Sequence, residues 1–205
     1  TYVPDDNFEN YLETHDSLGN TVPFGSPSAM GDGIAFNDSV LTANISSVDS
    51  LAPPGSNNIS DMTGLNGFSS LEYIYVHNSN NITSIDFSNN LNLKTAHFAS
   101  IVLDSINLNN NLNLEYLNIH ASQLTSIDLS NNVSLNDLNI SQSPIQSLDL
   151  SSNVGLINCG LYLSQLDSIN FNNCNNLTNL TITGTQLTNL DLANNPMLYD
   201  IYVEF

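Results

Sequence analysis

The chain has 205 residues, enough for an ordinary core, yet only 40% are apolar and 35 are asparagine. That is lean for a globular interior and tolerable for stacked coils whose corners are satisfied by side-chain amides. Lysine and arginine supply one cation, Lys94, against 20 acids, for a net charge of −19; this excludes a phosphate-binding surface, so nucleic acid and anionic membranes are not expected partners.

Residues 1 to 47 stand outside the repetition that governs the rest. Pro4-Asp5-Asp6-Asn7-Phe8-Glu9 predicts a helix start with Asp6 as N-cap and Glu9 closing a capping box. Phe8, Leu12 and Tyr11 then form an apolar stripe, and a short amphipathic helix of this kind covers the open end of a coil array. From His15 to Phe36 the chain is rich in Gly, Ser and Pro, tightest at Gly31-Asp32-Gly33, and predicts a loop folded onto that cap. Asp32 with Asn37 and Asp38 is a calcium candidate, but the spacing fits no calcium loop, and Asx turns are the preferred reading.

Val48-x-x-Leu51 opens an irregular coil of 23 residues broken by Pro53-Pro54-Gly55, Leu71 opens one of 22, and from Leu93 the interval is 21. Ile85, Ile106, Ile127, Leu148, Ile169 and Leu190 keep that interval, as do Leu93, Leu114, Leu135, Leu156, Leu177 and Leu198. Within one coil, Leu114-x-x-Leu117-x-Ile119-x-x-Ser122-x-Leu124 runs directly into Leu124-x-x-Ile127-Asp128-Leu129-x-x-Asn132. The alternation of Leu117 with Ile119, and of Ile127 with Leu129, has the period of a strand with one buried face. Each coil is therefore expected to carry two short strands with a corner between them and no room for a helix. Stacked coils then give a mainly β solenoid with two parallel sheets across a thin core. No apolar run approaches the length of a membrane span, so membrane insertion is not expected.

These motifs resemble the leucine-rich-repeat family, specifically its bacterial class with two nested motifs in 21 residues, from Val48 to Phe205. The opening VPDDNFENYLE resembles the lead-in of secreted repeat proteins from Bacteroidetes-type bacteria. The resemblance implies a cap over residues 1–47, a solenoid of about seven to eight coils over 48–205, and an extracellular or bacterial cell-surface location. One departure stands out. Where the family usually places Asn in the first half-motif, this chain has Ser122, Ser143, Ser164 and Thr185, with Ile101 as an outlier. The Asn column lies in the second half-motif, at Asn90, Asn111, Asn132, Asn153 and Asn195, where its amides are expected to hold backbone groups at the corners. Cys174 takes that place in one coil, a substitution known in related repeats, and Cys159 replaces a core leucine. Both read as small buried residues rather than disulfide partners or nucleophiles. Leu198 to Phe205 is a first strand with nothing after it, so the expectation is a chain cut short of further coils, with an edge open to end-to-end self-association.

The outward positions of the first sheet carry Tyr73, Tyr75, His77, His97, Tyr116, His120, Tyr162, Tyr199 and Tyr202, which is six of the eight tyrosines and three of the four histidines. The second sheet repeats small polar residues, as in Thr83-Ser84 and Asp86 or Thr125-Ser126 and Asp128, and has no tyrosine. Variation suits recognition, and repetition suits a wall. Tyr73, Tyr75, His77, His97, Tyr116, His120 and Tyr162 are accordingly the candidate ligand-binding residues of a non-enzymatic recognition module for a protein or glycan. A structural spacer or adhesin stalk is the alternative. A carbohydrate-active enzyme comes a distant third, resting on the conceivable carboxylate pair Glu115 and Asp137.

No nucleophile elbow or phosphate-cradling glycine loop occurs. The column Asp86, Asp128, Asp149 and Asp191 invites calcium, but Asn107 and Asn170 interrupt it, which a hydrogen-bond ladder tolerates better than a metal site does. The face histidines lack zinc-site spacing. No metal and no cofactor are expected.

Overall fold

Every coil contributes one strand to a single parallel sheet in the computed structural model, which describes residues 1–55, 58–79, 81–162 and 165–204. In chain order the strands are β1 (Ser50–Leu51), β2 (Tyr73–His77), β3 (Ser84–Asp86), β4 (Thr95–Ala99), β5 (Ser105–Asn107), β6 (Tyr116–His120), β7 (Asp137–Ser141), β8 (Ser147–Asp149), β9 (Asn158–Tyr162), β10 (Ser168–Asn170), β11 (Asn179–Thr183) and β12 (Asp200–Glu204). Eight of them form the continuous sheet β1-β2-β4-β6-β7-β9-β11-β12. Registers advance by one repeat per strand, so Tyr116 pairs with Asp137 and Ile119 with Ile140. Identical repeat positions therefore stack in columns.

The alternation read from the sequence matches the burial. Along β6, Leu117 and Ile119 are buried while Tyr116, Asn118 and His120 are half-buried on the outer side. Leu124 and Leu129 close the same coil from the opposite wall, and one apolar core runs from Val3 to Leu187. Burying one such leucine stabilises by about 1.5–3 kcal/mol, and the repeat makes the same gain in each coil.

The opposite wall is less regular than two continuous sheets. Among the described residues only two-stranded ribbons form there, β3 with β5 and β8 with β10; the segments around Ile127 and Leu190 carry no strand. The Asp/Asn column explains where the ribbons fall. Each member caps its own corner in an Asx turn, as when Asp128 Oδ1 accepts from the Ser130 N–H at 2.9 Å and Asn107 Oδ1 from the Asn109 N–H at 3.2 Å. Asparagine has a donor left over. Asn107 Nδ2 reaches back to Asp86 Oδ1 at 2.8 Å, and Asn170 Nδ2 to Asp149 Oδ1 at 3.0 Å, and these are the two paired junctions. Where Asp128, Asp149 or Asp191 sits on the later coil there is no such donor, and Asp128 followed by Asp149 sets like charges side by side.

At the end of the long-sheet strands the chain turns through a left-handed residue: Asn78, Ser100, Ala121, Gln142 and Gly184 have φ of 51°, 55°, 56°, 51° and 65°. Their N–H groups still donate to the next coil, as from Ala121 to the Ser141 carbonyl at 3.0 Å. Ser164 lies outside the described residues. Its column mates Ser122 and Ser143 are buried and bond to each other at 2.8 Å.

The Asn column lies at the corner after the second half-motif. Asn111 Nδ2 donates to the Phe87 and Asn90 carbonyls at 3.1 and 2.7 Å, Asn132 to Leu108 and Asn111 at 3.1 and 2.9 Å, and Asn153 to Leu129 and Asn132 at 3.0 and 2.9 Å. Asn90 and Asn195 make the same pair of bonds at the ends of the array. Cys174, in the same column, offers only its thiol, to the Leu150 carbonyl at 3.2 Å. Each bond links one coil to the preceding one.

At the N-terminus α1 (Asp6–Thr14) lays Phe8, Tyr11 and Leu12 on the first coil, with Phe8 stacked on Phe68. Its N-cap is Asp5, not Asp6. Pro4 fixes the chain entry, and the extended Asp5 accepts from the Asn7 and Phe8 N–H groups. The second Asp5 oxygen takes the Ser60 hydroxyl and the Ser60 and Asp61 N–H groups, tying cap to solenoid. Burial raises the Asp5 pKa, but these bonds outweigh it and hold the carboxyl below its ordinary value.

Glu9 closes no capping box. It is fully buried and accepts the Asn37 and Asp38 N–H groups, each at 3.0 Å, while the equally buried Glu13 takes those of Asp32 and Gly33. Burial pushes the Glu13 pKa up. Asp32 itself makes the Asx turn to Ile34. A one-turn α2 (Thr42–Ile45) and a 3-10 turn at Leu65–Gly67 complete the join to the repeat.

Candidate recognition face

The outer side of the eight-stranded sheet presents two adjoining columns. One runs Tyr75, His97, Asn118, Asn139, Gly160 and Thr181; the other runs His77, Ala99, His120, Ser141, Tyr162 and Thr183. The rings of Tyr75 and His77 stack at 4.8 Å, and Tyr75 meets His97 edge-on at 4.6 Å. Such contacts fix the rings at little further entropy cost. Gly55, from the Pro53-Pro54-Gly55 excursion, packs against His77, whose buried Nδ1 has no partner among the described residues.

The other candidates are distributed around this cluster. His97, His120 and Tyr162 line one shallow hollow with Ala99, Asn118, Asn139 and Ser141. Tyr116 lies one row away, its hydroxyl accepting from Asn118 Nδ2 at 3.2 Å. Tyr73 shares the Tyr116 column with Thr95 between them, so the two rings rise from strands about 10 Å apart rather than in contact. The seven candidates thus share a face but not one ring cluster.

Burial, then the neighbouring His120 and His77, lowers the His97 pKa, so this ring is neutral at pH 7. His120 Nδ1 is engaged with the Ser141 hydroxyl at 2.7 Å. Lys94 pairs with Glu72 at 2.7 Å, the one ion pair among the described residues. The Asp137 carboxylate accepts the Asn139 and Asn158 amides, each at 2.9 Å.

A second exposed feature escaped the sequence reading. Leu91, Leu112, Val133 and Val154 recur at 21-residue intervals just after the Asn column, and each is about half exposed. The period makes them visible, but the same period hides them among the core leucines.

The geometry defines a leucine-rich-repeat solenoid of the bacterial type, with seven coils between its eight strands. Solved structures agree. The functional domain of InlJ from Listeria monocytogenes, which includes a cysteine ladder, matches with a TM-score of 0.74 at 22% identity over 98% of this chain. A leucine-rich-repeat protein of Leptospira interrogans matches 75% of it at a TM-score of 0.56 and 16% identity. Internalin C2 of L. monocytogenes matches over 100% of this chain and 94% of its own, at 0.54 and 15%. The chain spans 42% of the InlJ domain and 46% of the Leptospira protein. Likeness at these identities is one of fold. No protein-family model and no curated protein matches the sequence. No helix among the described residues is long and apolar enough to cross a membrane.

Proposed function

We propose that this chain is a non-catalytic recognition module, working at a bacterial cell surface or outside the cell, that binds a protein or glycan through the outer face of its eight-stranded sheet. The observation that carries the reading is the asymmetry between its two sides. One side holds Tyr73, Tyr75, His77, His97, Tyr116, His120 and Tyr162, while the other repeats Asx turns in coil after coil. Tyrosine offers large contact area, few rotors to freeze and a hydroxyl for orientation. The face is open, which suits binding better than hydrolysis.

The test begins by screening the intact protein against extracellular proteins and a glycan array. The variant carrying Tyr73→Ser, Tyr75→Ser and Tyr116→Ser is expected to lose the ligand so found. A matched variant with Thr83→Ala, Thr125→Ala and Thr188→Ala on the opposite wall is expected to keep it. Equal loss from both, or none from the tyrosine set, overturns the reading.

A further inference from the structure

The hollow at the centre of the face has a composition that its surroundings lack. It spans four strands, from His97 and Ala99 on β4 to Tyr162 on β9, about 14 Å at the usual strand spacing. In a chain of net charge −19, no carboxylate, lysine or arginine is among its described lining residues. Its depth comes from small residues. Ala99 and Ser141 leave room along one column, while Gly160 lets Asn139 Oδ1 and the Tyr162 ring close over the backbone, where a Cβ would collide with both. Tyr162 is 39% exposed and forms the wall at that end.

The polar groups are held by hydrogen bonds to adjacent side chains. Asn118 is fixed by the Tyr116 hydroxyl, Asn139 by Asp137, and His120 by Ser141. Asn139 Oδ1 lies against Gly160, and each asparagine keeps a second amide hydrogen beside the imidazoles of His97 and His120. Two amides, two imidazoles and an aromatic wall, with no carboxylate, lysine or arginine among the described lining residues, match vicinal hydroxyls on a ring that also has an apolar face. An ionic ligand would find no counter-charge for its desolvation here.

We infer that the hollow lined by His97, Asn118, His120, Asn139 and Tyr162 is a subsite for a neutral saccharide, its ring stacked on Tyr162 and its hydroxyls paired with the two asparagine amides. The inference rests on the recognition reading above and selects one ligand class for the same face. A peptide backbone is the competing occupant that the experiment separates.

The experiment is calorimetric titration of the whole chain with four neutral hexasaccharides (cello-, xylo-, manno- and maltohexaose), beside anionic hexagalacturonate and an uncharged hexapeptide. At least one neutral sugar is expected to bind, and to bind better than the hexagalacturonate and the peptide. Tyr162→Ala and Asn118→Ala/Asn139→Ala should each weaken it about tenfold or more, while Tyr162→Phe, which keeps the ring, retains most of the affinity. Melting curves identify any variant that unfolds, and Gly160→Ser, which displaces Asn139 and the Tyr162 ring, gives an independent disruption of the subsite. No binding by any neutral sugar, equal or better binding of hexagalacturonate or peptide, or unchanged affinity in Tyr162→Ala overturns the inference. If the sugars fail while a ligand dependent on Tyr73, Tyr75 and Tyr116 still binds, the saccharide inference falls and the recognition reading stands.

Discussion

Asn132→Ala removes one rung from the amide ladder. The side chain is fully buried and donates to two carbonyls, Leu108 at 3.1 Å and Asn111 at 2.9 Å, which lie in corners that no β ladder reaches. Leaving a buried acceptor unpaired costs about 1–3 kcal/mol, so two cost about 2–6 kcal/mol. The Asn132 Oδ1 is itself buried without a partner, and deleting it relieves a cost of the same order as one lost acceptor. The net loss is then about 1–3 kcal/mol. For a chain of this size each kcal/mol moves the melting temperature by about 2–4 °C, so the expected fall is about 2–12 °C. The assay is thermal and urea unfolding followed by circular dichroism. Asn131→Ala is the internal control: its side chain is exposed on the same corner, and its change should stay within about 0.5 kcal/mol. An Asn132→Ala protein that melts with the parent, or an Asn131→Ala protein that falls as far, refutes the reasoning.

Three other outcomes follow from the same contacts. Cys174→Asn should supply a second donor toward the Asn153 carbonyl, as its column mates do, and raise stability by about 1 kcal/mol in urea melts; a loss would mean that the corner is shaped around sulfur. Ala121→Gly should relieve a φ of 56° that Gly184 adopts freely in the same turn. The relief exceeds the added freedom of the unfolded chain and leaves about 0.5–1 kcal/mol of stabilisation by the same assay, whereas destabilisation would show that the turn is unstrained. His97 has a folded pKa below its unfolded value, so as pH falls below about 6.5 the unfolded chain takes up the proton first and stability drops. His97→Gln should flatten that slope between about pH 6.5 and 5, and an unaltered slope would place the titration elsewhere.

The coils were legible because a period repeats the same contact: once Leu117 and Ile119 are assigned inward, every column follows. In the Asp/Asn column the sequence favours a hydrogen-bond ladder over a metal row, and the bonds from Asn107 to Asp86 and from Asn170 to Asp149 agree with it. Asn107 and Asn170 look like interruptions of a carboxylate row, yet they are the donors that tie neighbouring coils, so the opposite wall pairs there and not at Asp128. The cap gave fewer signals. Glu9 and Glu13 bind backbone groups 19 to 29 residues further on in a loop without period, and no local pattern separates a buried carboxylate of that kind from a capping-box acid. On the recognition face the aromatics stand out in the sequence, while the hollow depends on the small side chains of Ala99 and Ser141 and on the way Asn139 and Tyr162 close over Gly160. Absence of a side chain carries meaning only once its neighbours are placed.

The central claim is that the tyrosine face, not the opposite wall or the exposed apolar stripe beside it, receives the ligand. Hydroxyl-radical footprinting of the chain with and without a bound ligand, read by mass spectrometry, compares these surfaces in one measurement. The account predicts protection of Tyr73, Tyr75, Tyr116 and Tyr162 on binding, with Leu112 and Val133 labelled as before. Protection of Leu112 and Val133 with the four tyrosines unchanged would contradict it.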